Sequence, residues 1–119
     1  MFLKGYSKNI NFHMKNAEAF ILTSLWEDPG FVLVEAAMNN LFIISSNCKN
    51  GPTEFLENGR AGILFESNKE NALLFSLKSF LKIKSTNAID DKRKKAKKNC
   101  KNYTLVNHYN ILSSHVLRF

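Results

Sequence analysis

The apolar positions of this chain fall into short, dense runs separated by polar breaks. Ala19 to Thr23 (AFILT) is compact and mostly apolar with polar flanks, Leu41 to Ser45 (LFIIS) repeats the pattern, and Gly62 to Phe65 (GILF) is a third such run. Runs without alternation suit strands whose sheet is covered on both faces. Between them the pattern changes. Asp28-Pro29-Gly30 breaks the chain and opens a helix expected over about Gly30 to Met38, because Pro is tolerated only in a first turn. Asn39-Asn40 ends it, since Asn accepts the left-handed cap conformation. Gly51-Pro52-Thr53-Glu54 starts a shorter helix that ends near Asn58-Gly59, with Glu54 at the positive end of the dipole. Asn68 or Ser67 caps a longer helix from Lys69 to about Lys82, whose Leu73, Leu74, Leu77, Phe80 and Leu81 recur at three-and-four spacing.

The ends are less regular. Phe2-Leu3 running into Gly5 reads as the stub of a short strand, and Asn11 to Asn16 as a short helix. After a turn at Ser85 to Ala88 come a basic helix over Ile89 to Tyr103 and a last helix over Val106 to Leu117, with Val106, Tyr109, Leu112 and Val116 near one face. Strand, helix, strand, helix, strand, helix is the signature of an α/β fold, a Rossmann-like parallel sheet flanked by helices. No internal repeat or linker interrupts it, so the chain is at most one domain. The sheet is small for a doubly wound domain, and the chain opens abruptly at a strand end. The expectation is that an N-terminal portion of the domain is missing.

Charge sharpens this picture at one place. The net charge is +7, but nine Lys and Arg against two Asp between Lys82 and Lys101 account for all of it. The basic character therefore belongs to the C-terminal helices, residues 83–119, and not to the fold as a whole. A solvated helix face is the plain reading, and an anionic membrane surface is the partner such a run could meet. Nucleic acid is not expected, because no aromatics are interleaved with Lys92 to Lys101 to stack on bases. Cys48 and Cys100 form no CxxC pair, and His13, His108 and His115 have no metal-ligand spacing, so no metal site is expected. No window is apolar enough to span a bilayer, and MFLKGYSKN lacks a secretory core. A cytoplasmic protein, peripheral at the inner face of the membrane if the basic run is used, is the expectation.

In an open parallel sheet, ligands bind at the carboxyl ends of strands beside helix N-termini. Thr23 to Phe31 and Ser45 to Pro52 are the two junctions of that kind, and Gly30 and Gly51 would let a ligand approach the backbone. Glu35 is the one charge within Phe31 to Met38. A buried carboxylate needs partners, and a vicinal diol would supply two hydrogen bonds. From the helix alone, a solvent-facing stripe shared by Asp28, Glu35 and Asn39 explains it more simply. Glu27, Ser24 and Asp28 are likewise explained by capping or dipole compensation.

The segment Glu27-Asp28-Pro29-Gly30-Phe31-Val32-Leu33-Val34-Glu35-Ala36 resembles the E-x7-E signature of the family-four retaining glycosyltransferases of GT-B fold. The surroundings agree in order: Phe2 to Asn9 is similar to that family's strand and glycine loop, Ala17 to Ser24 to the strand before the first Glu, Gly51 to Leu56 to its G-x-x-E helix, and Asn58 to Phe65 to its n-G-x-x-G strand. The resemblance runs from about residue 2 to 82. It implies the C-terminal, nucleotide-sugar-binding part of a GT-B enzyme, with residues 1–119 a partial domain lacking the N-terminal acceptor domain. It implies a sugar transferred from a nucleotide-sugar such as a UDP-sugar to a hydroxyl with retention, no cofactor and no metal. Glu27 falls on the catalytic position beside the donor sugar. Glu35 falls on the ribose ligand, which favours its buried reading. Gly30, Phe31 and Val32 fall on the amides that meet sugar and diphosphate, and Tyr6 on a residue beside the base. Two departures stand out. Asp28 replaces the usual glycine, and the basic phosphate-binding pair falls outside this chain. The alternatives are a non-catalytic remnant, a small basic membrane- or nucleic-acid-binding module, or another GT-B enzyme such as an epimerase, against which the E-x7-E spacing argues. In isolation the chain is expected to be inactive and to bind donor weakly or not at all.

Overall fold

The computed structural model describes residues 1–116. The elements follow in the order α1 (Ile10–Lys15), β1 (Ala19–Leu22), α2 (Phe31–Met38), β2 (Phe42–Ser46), α3 (Pro52–Phe55), β3 (Ile63–Phe65), α4 (Ala72–Ile83), α5 (Asn87–Asn99), a 3-10 turn (Cys100–Tyr103) and α6 (Leu105–Val116). The strands form one parallel sheet in the order β1-β2-β3. Ile44 of β2 is paired with Ile21 on one side and Ile63 on the other. The α/β architecture and its parallel sheet are thus as the run pattern predicts.

The central strand explains the run pattern. All five residues of β2 are buried, so neither face opens to water, and its two polar members, Ser45 and Ser46, donate to backbone carbonyls instead. Phe42 and Ile44 pack with Phe80 of α4 and Ile89 of α5, and the Phe42 and Phe80 rings lie 5.1 Å apart. Ile43 belongs to the other layer, with Leu33, Ala36 and Ala37 of α2, Phe55 of α3 and Ala96 of α5. Alternate residues of β2 therefore feed opposite layers. α5 serves both, through Ile89 at its start and Ala96 two turns on.

Several boundaries differ from expectation for local reasons. Phe2 and Leu3 form no strand and are each 89% exposed, because nothing among the described residues offers them a ladder to pair with. Helix α4 begins at Ala72, not Lys69, because Asn68 and Asn71 both take left-handed conformations (φ 60° and 59°) and use the intervening residues in turns. Helix α3 is a single turn, closed by Glu57, Asn58 and Gly59 at φ 49°, 55° and 91°. The basic helix starts at Asn87 and passes into the 3-10 turn at Cys100. The last helix spans Leu105–Val116, and Leu117, its expected end, lies outside the described residues.

Beyond the carboxyl ends of β1 and β2 the two chains remain joined. Ser46 Oγ donates to Ser24 O at 2.6 Å, Glu27 N donates to Lys49 O at 3.3 Å, and Trp26 and Lys49 form an isolated parallel bridge. Gly51, at φ 144°, lies so close to Pro29 that a Cβ there would fall 2.1 Å from the Pro29 carbonyl oxygen. Only glycine fits both the conformation and the space.

The basic run is divided in its use. Lys92 Nζ donates to Gly59 O at 2.6 Å and Gly62 O at 3.2 Å, closing the turn before β3. Burial, with the neighbouring Lys95 charge, holds its ammonium below the usual lysine range. Arg93 donates to Glu18 O at 3.0 Å, and Lys95 lies 3.8 Å from Glu57 Oε2. Lys94, Lys97, Lys98 and Lys101 are exposed.

Two outcomes are expected in urea unfolding. Lys92→Ala orphans the Gly59 and Gly62 carbonyls and lowers stability by about 1.5 kcal/mol, whereas Lys94→Ala changes it by less than about 0.5 kcal/mol. Equal losses would show that the run is not divided in this way. Gly51→Ala is expected to lose about 2–3 kcal/mol, since both its φ and its contact with Pro29 are refused to alanine. A wild-type unfolding midpoint would contradict the close approach of the two loops.

Candidate functional site

The loop Thr23–Gly30 leaves the carboxyl end of β1 and delivers the chain into α2. Its centre is Glu27, half-buried. Ser24 Oγ donates to Glu27 Oε1 at 2.5 Å, and the backbone of Glu27 is fixed by its bond to Lys49 O. Ser24 is itself held by Ser46 from the central strand. The second carboxylate oxygen lies over Gly30: a Cβ built there would sit 3.5 Å from Oε2. Gly30 is buried and left-handed (φ 80°, ψ 50°), and its carbonyl accepts from Leu33 N at 3.0 Å, which starts the helix. The amides of Phe31 and Val32 belong to the first turn, where an α-helix has no internal acceptor for them. A carboxylate and a set of helix-end amides thus share one side of a loop, beside the positive end of a dipole.

Phe31 is 58% exposed, and its ring meets Tyr103 edge-on at 6.5 Å. Tyr103 also meets Phe55 at 5.5 Å, so the 3-10 turn is clamped against both α2 and α3. Burial pushes the Tyr103 hydroxyl above the usual tyrosine range, with the Glu54 charge adding. It therefore stays protonated at neutral pH. It lines an open hollow with Pro29, Asn50, Glu54, Asn99 and Asn102.

Glu27, Gly30, Phe31 and Val32 are therefore brought together by one turn of chain. Glu35 lies on the same helix, two turns beyond Glu27, and is exposed. The expectation that it is buried is corrected: Leu33, Ala36 and Ala37 are the core-facing positions of α2, and position 35 points away from them. It lines a separate hollow between α1 and the end of α2, with Ile10, Asn11, Lys15, Met38 and Asn39. Asn39 Nδ2 ties that hollow together by donating to Asn11 Oδ1 at 3.1 Å and Glu35 O at 2.9 Å. Tyr6 is 90% exposed in the stretch before α1, and it lines none of the hollows that hold Glu27's neighbours or Glu35.

Ser24, explained from the sequence by capping, instead donates to Glu27 three residues on. Two contributors escape a reading of the sequence, Ser46 and Tyr103, because each reaches the site from far along the chain. Among the described residues no three His, Cys, Asp or Glu side chains converge to hold a metal. What the loop can do with its own groups is accept hydroxyl hydrogen bonds at Glu27 and offer amides to an anion beside it.

Known proteins share this fold. Among solved structures, a glycosyltransferase from Rickettsia africae superposes with a TM-score of 0.76 at 20% identity, over 96% of this chain and 31% of that one. TarM gives 0.75 at 23% identity, over 94% of this chain and 22% of that one. At such identities the likeness shows the fold, a GT-B α/β sheet. In sequence, an uncharacterized glycosyltransferase of Methanocaldococcus jannaschii is 39% identical over 56 residues, 47% of this chain and 14% of that protein. The poly(ribitol-phosphate) alpha-N-acetylglucosaminyltransferase of Staphylococcus aureus is 28% identical over 71 residues, 60% of this chain and 14% of its own length. The chain thus spans a small part of these relatives. The family model of the glycosyl transferases group 1 matches residues 1–103, which takes in every strand, the Glu27 loop and Tyr103, and the chain therefore belongs to the glycosyl transferases group 1 family.

Proposed function

We propose that this chain is the donor-binding part of a family-four retaining glycosyltransferase, which moves a sugar from a nucleotide-sugar to a hydroxyl acceptor with the anomeric configuration kept. The observation that carries the reading is the Glu27 carboxylate, held by Ser24 over Gly30 at the start of α2. A sugar placed against the loop gives its hydroxyls to Glu27. Its diphosphate then meets the amides of Gly30, Phe31 and Val32, where the helix dipole favours negative charge. Glu35, further along α2 and open to solvent, takes the ribose hydroxyls from its own hollow. Exposure suits that role in a chain without bound nucleotide, because the carboxylate remains hydrated until the diol replaces its water. Tyr6 stands as the group beside the base. Asp28 adds a second carboxylate where the family's pattern has glycine, and it gives this loop its own shape around the sugar. Transfer itself needs cations for the leaving diphosphate, which fall upstream of these residues, and an acceptor surface, which belongs to the other domain.

The test is a titration of the 119-residue chain with UDP and UDP-sugars, followed by amide NMR at millimolar ligand. Weak, fast-exchange shifts are expected at Gly30 to Val32 and Glu35, and Glu35→Ala is expected to remove the ribose-dependent part. Shifts confined to other surfaces would refute the site. Micromolar affinity by calorimetry would refute the partial-cleft reading. In a protein that carries the acceptor half as well, Glu27→Gln is expected to lower kcat by roughly a hundredfold with a smaller effect on KM, as a misplaced donor does. A product of inverted configuration would overturn retention.

A further inference from the structure

Helix α2 starts without a side-chain cap. Its N-cap is Gly30, which has no side chain to offer, and its first turn holds no acidic residue. Glycine also leaves the chain free to pivot at that point. The body of the helix is fixed by Leu33, Ala36 and Ala37 in the core. Its first residue, Phe31, is mostly exposed. The amides of the first turn must therefore be held by something outside α2.

The holding contacts come from the 3-10 turn Cys100–Tyr103. The Tyr103 ring meets Phe31 edge-on at 6.5 Å. At the other end of the turn the Cys100 thiol lies 3.5 Å from Ala96 O and 3.7 Å from Val34 O, so it bridges α5 to the next turn of α2. Burial pushes this thiol up, and it keeps its proton at neutral pH. Tyr103 is braced in turn by Phe55 of α3 at 5.5 Å. Helix α3 begins directly after Gly51, where the second loop touches Pro29. The 3-10 turn is thus tied to both loops of the site, and Tyr103 makes its two aromatic contacts with the ring and not with the hydroxyl.

We infer that Tyr103 is a positioning residue for the anion-binding turn: its ring, set against Phe31 and Phe55, holds the Phe31 and Val32 amides where the donor diphosphate meets them. The inference rests on the donor-site reading above and divides that site in two. Hydrogen bonds to an anion weaken steeply as their angle and length depart from ideal, so a first turn that pivots at Gly30 loses the diphosphate. The nucleoside end is independent of Tyr103. Glu35 lies further along α2 among the core-anchored residues, and its hollow is tied to α1 by the bond from Asn39 to Asn11.

Two probes separate the halves of the ligand. Inorganic pyrophosphate and uridine are each titrated into the 119-residue chain and followed by amide NMR. Pyrophosphate is expected to shift Phe31 and Val32, and uridine the surroundings of Glu35. Tyr103→Leu is expected to weaken pyrophosphate binding about fivefold, the scale of one aromatic pair, and to leave uridine binding unchanged. Tyr103→Phe keeps the ring and is expected to bind both probes as the wild type does. Phe31→Ala keeps the backbone amide, removes the ring at an exposed position, and is expected to show the same fivefold loss; it carries the test should Tyr103→Leu fail to fold. Combined with Tyr103→Leu it is expected to lose no more than either change alone. Additive losses in that pair would overturn the positioning role. So would wild-type pyrophosphate binding in Tyr103→Leu or Phe31→Ala, a parallel loss of uridine binding, or a Tyr103→Phe variant as weak as Tyr103→Leu, which would make the hydroxyl a direct ligand. If the wild type itself shows no pyrophosphate shifts at Phe31 and Val32, the donor site fails and the positioning role falls with it.

Discussion

The close approach of Gly51 to Pro29 is the constraint on which the site depends. Two loops leave the carboxyl ends of adjacent parallel strands, and each would be free to splay on its own. The missing Cβ at Gly51 lets the backbones touch, and Ser46 and Lys49 then fix Ser24 and Glu27 to the second loop. A carboxylate held at the start of a helix by neighbouring backbone keeps its position without a ligand. That is the condition for recognising one by geometry, since little ordering remains to be done on binding.

The same economy runs through the packing. The central strand gives alternate residues to two apolar layers, so the sheet is stabilised from both sides by few elements. α5 reaches both layers, and it makes two uses of one basic run. Lys92 serves the turn before β3, where a partly buried ammonium satisfies two carbonyls. The lysines on the far side are left to solvent. A run of like charge is therefore divided by the helical period into a structural face and a surface face, and charge counting along the chain cannot tell them apart.

The strands, the Pro-opened helices and the E-x7-E segment are local patterns, and local patterns survive reading one residue at a time. Sequence by itself determined that AFILT, LFIIS and GILF are strands, but only the central one is buried throughout: Ile21 of β1 is exposed and β3 is half-buried. It determined the parallel order of the fold and the loop in which Glu27 stands. The family, with Glu27 and Glu35 at matching positions, was also legible there as an ordered resemblance. Only the tertiary structure decided which of those residues meet. Ser46 comes to Ser24 and Tyr103 to Phe31 over distances along the chain that no motif spans. Glu35 proved exposed because the core takes Leu33, Ala36 and Ala37 from α2 and leaves position 35 outside, which depends on where β2 and α5 lie. The reason is physical: a residue's type limits what it can do, but its partners are set by packing between segments far apart in sequence.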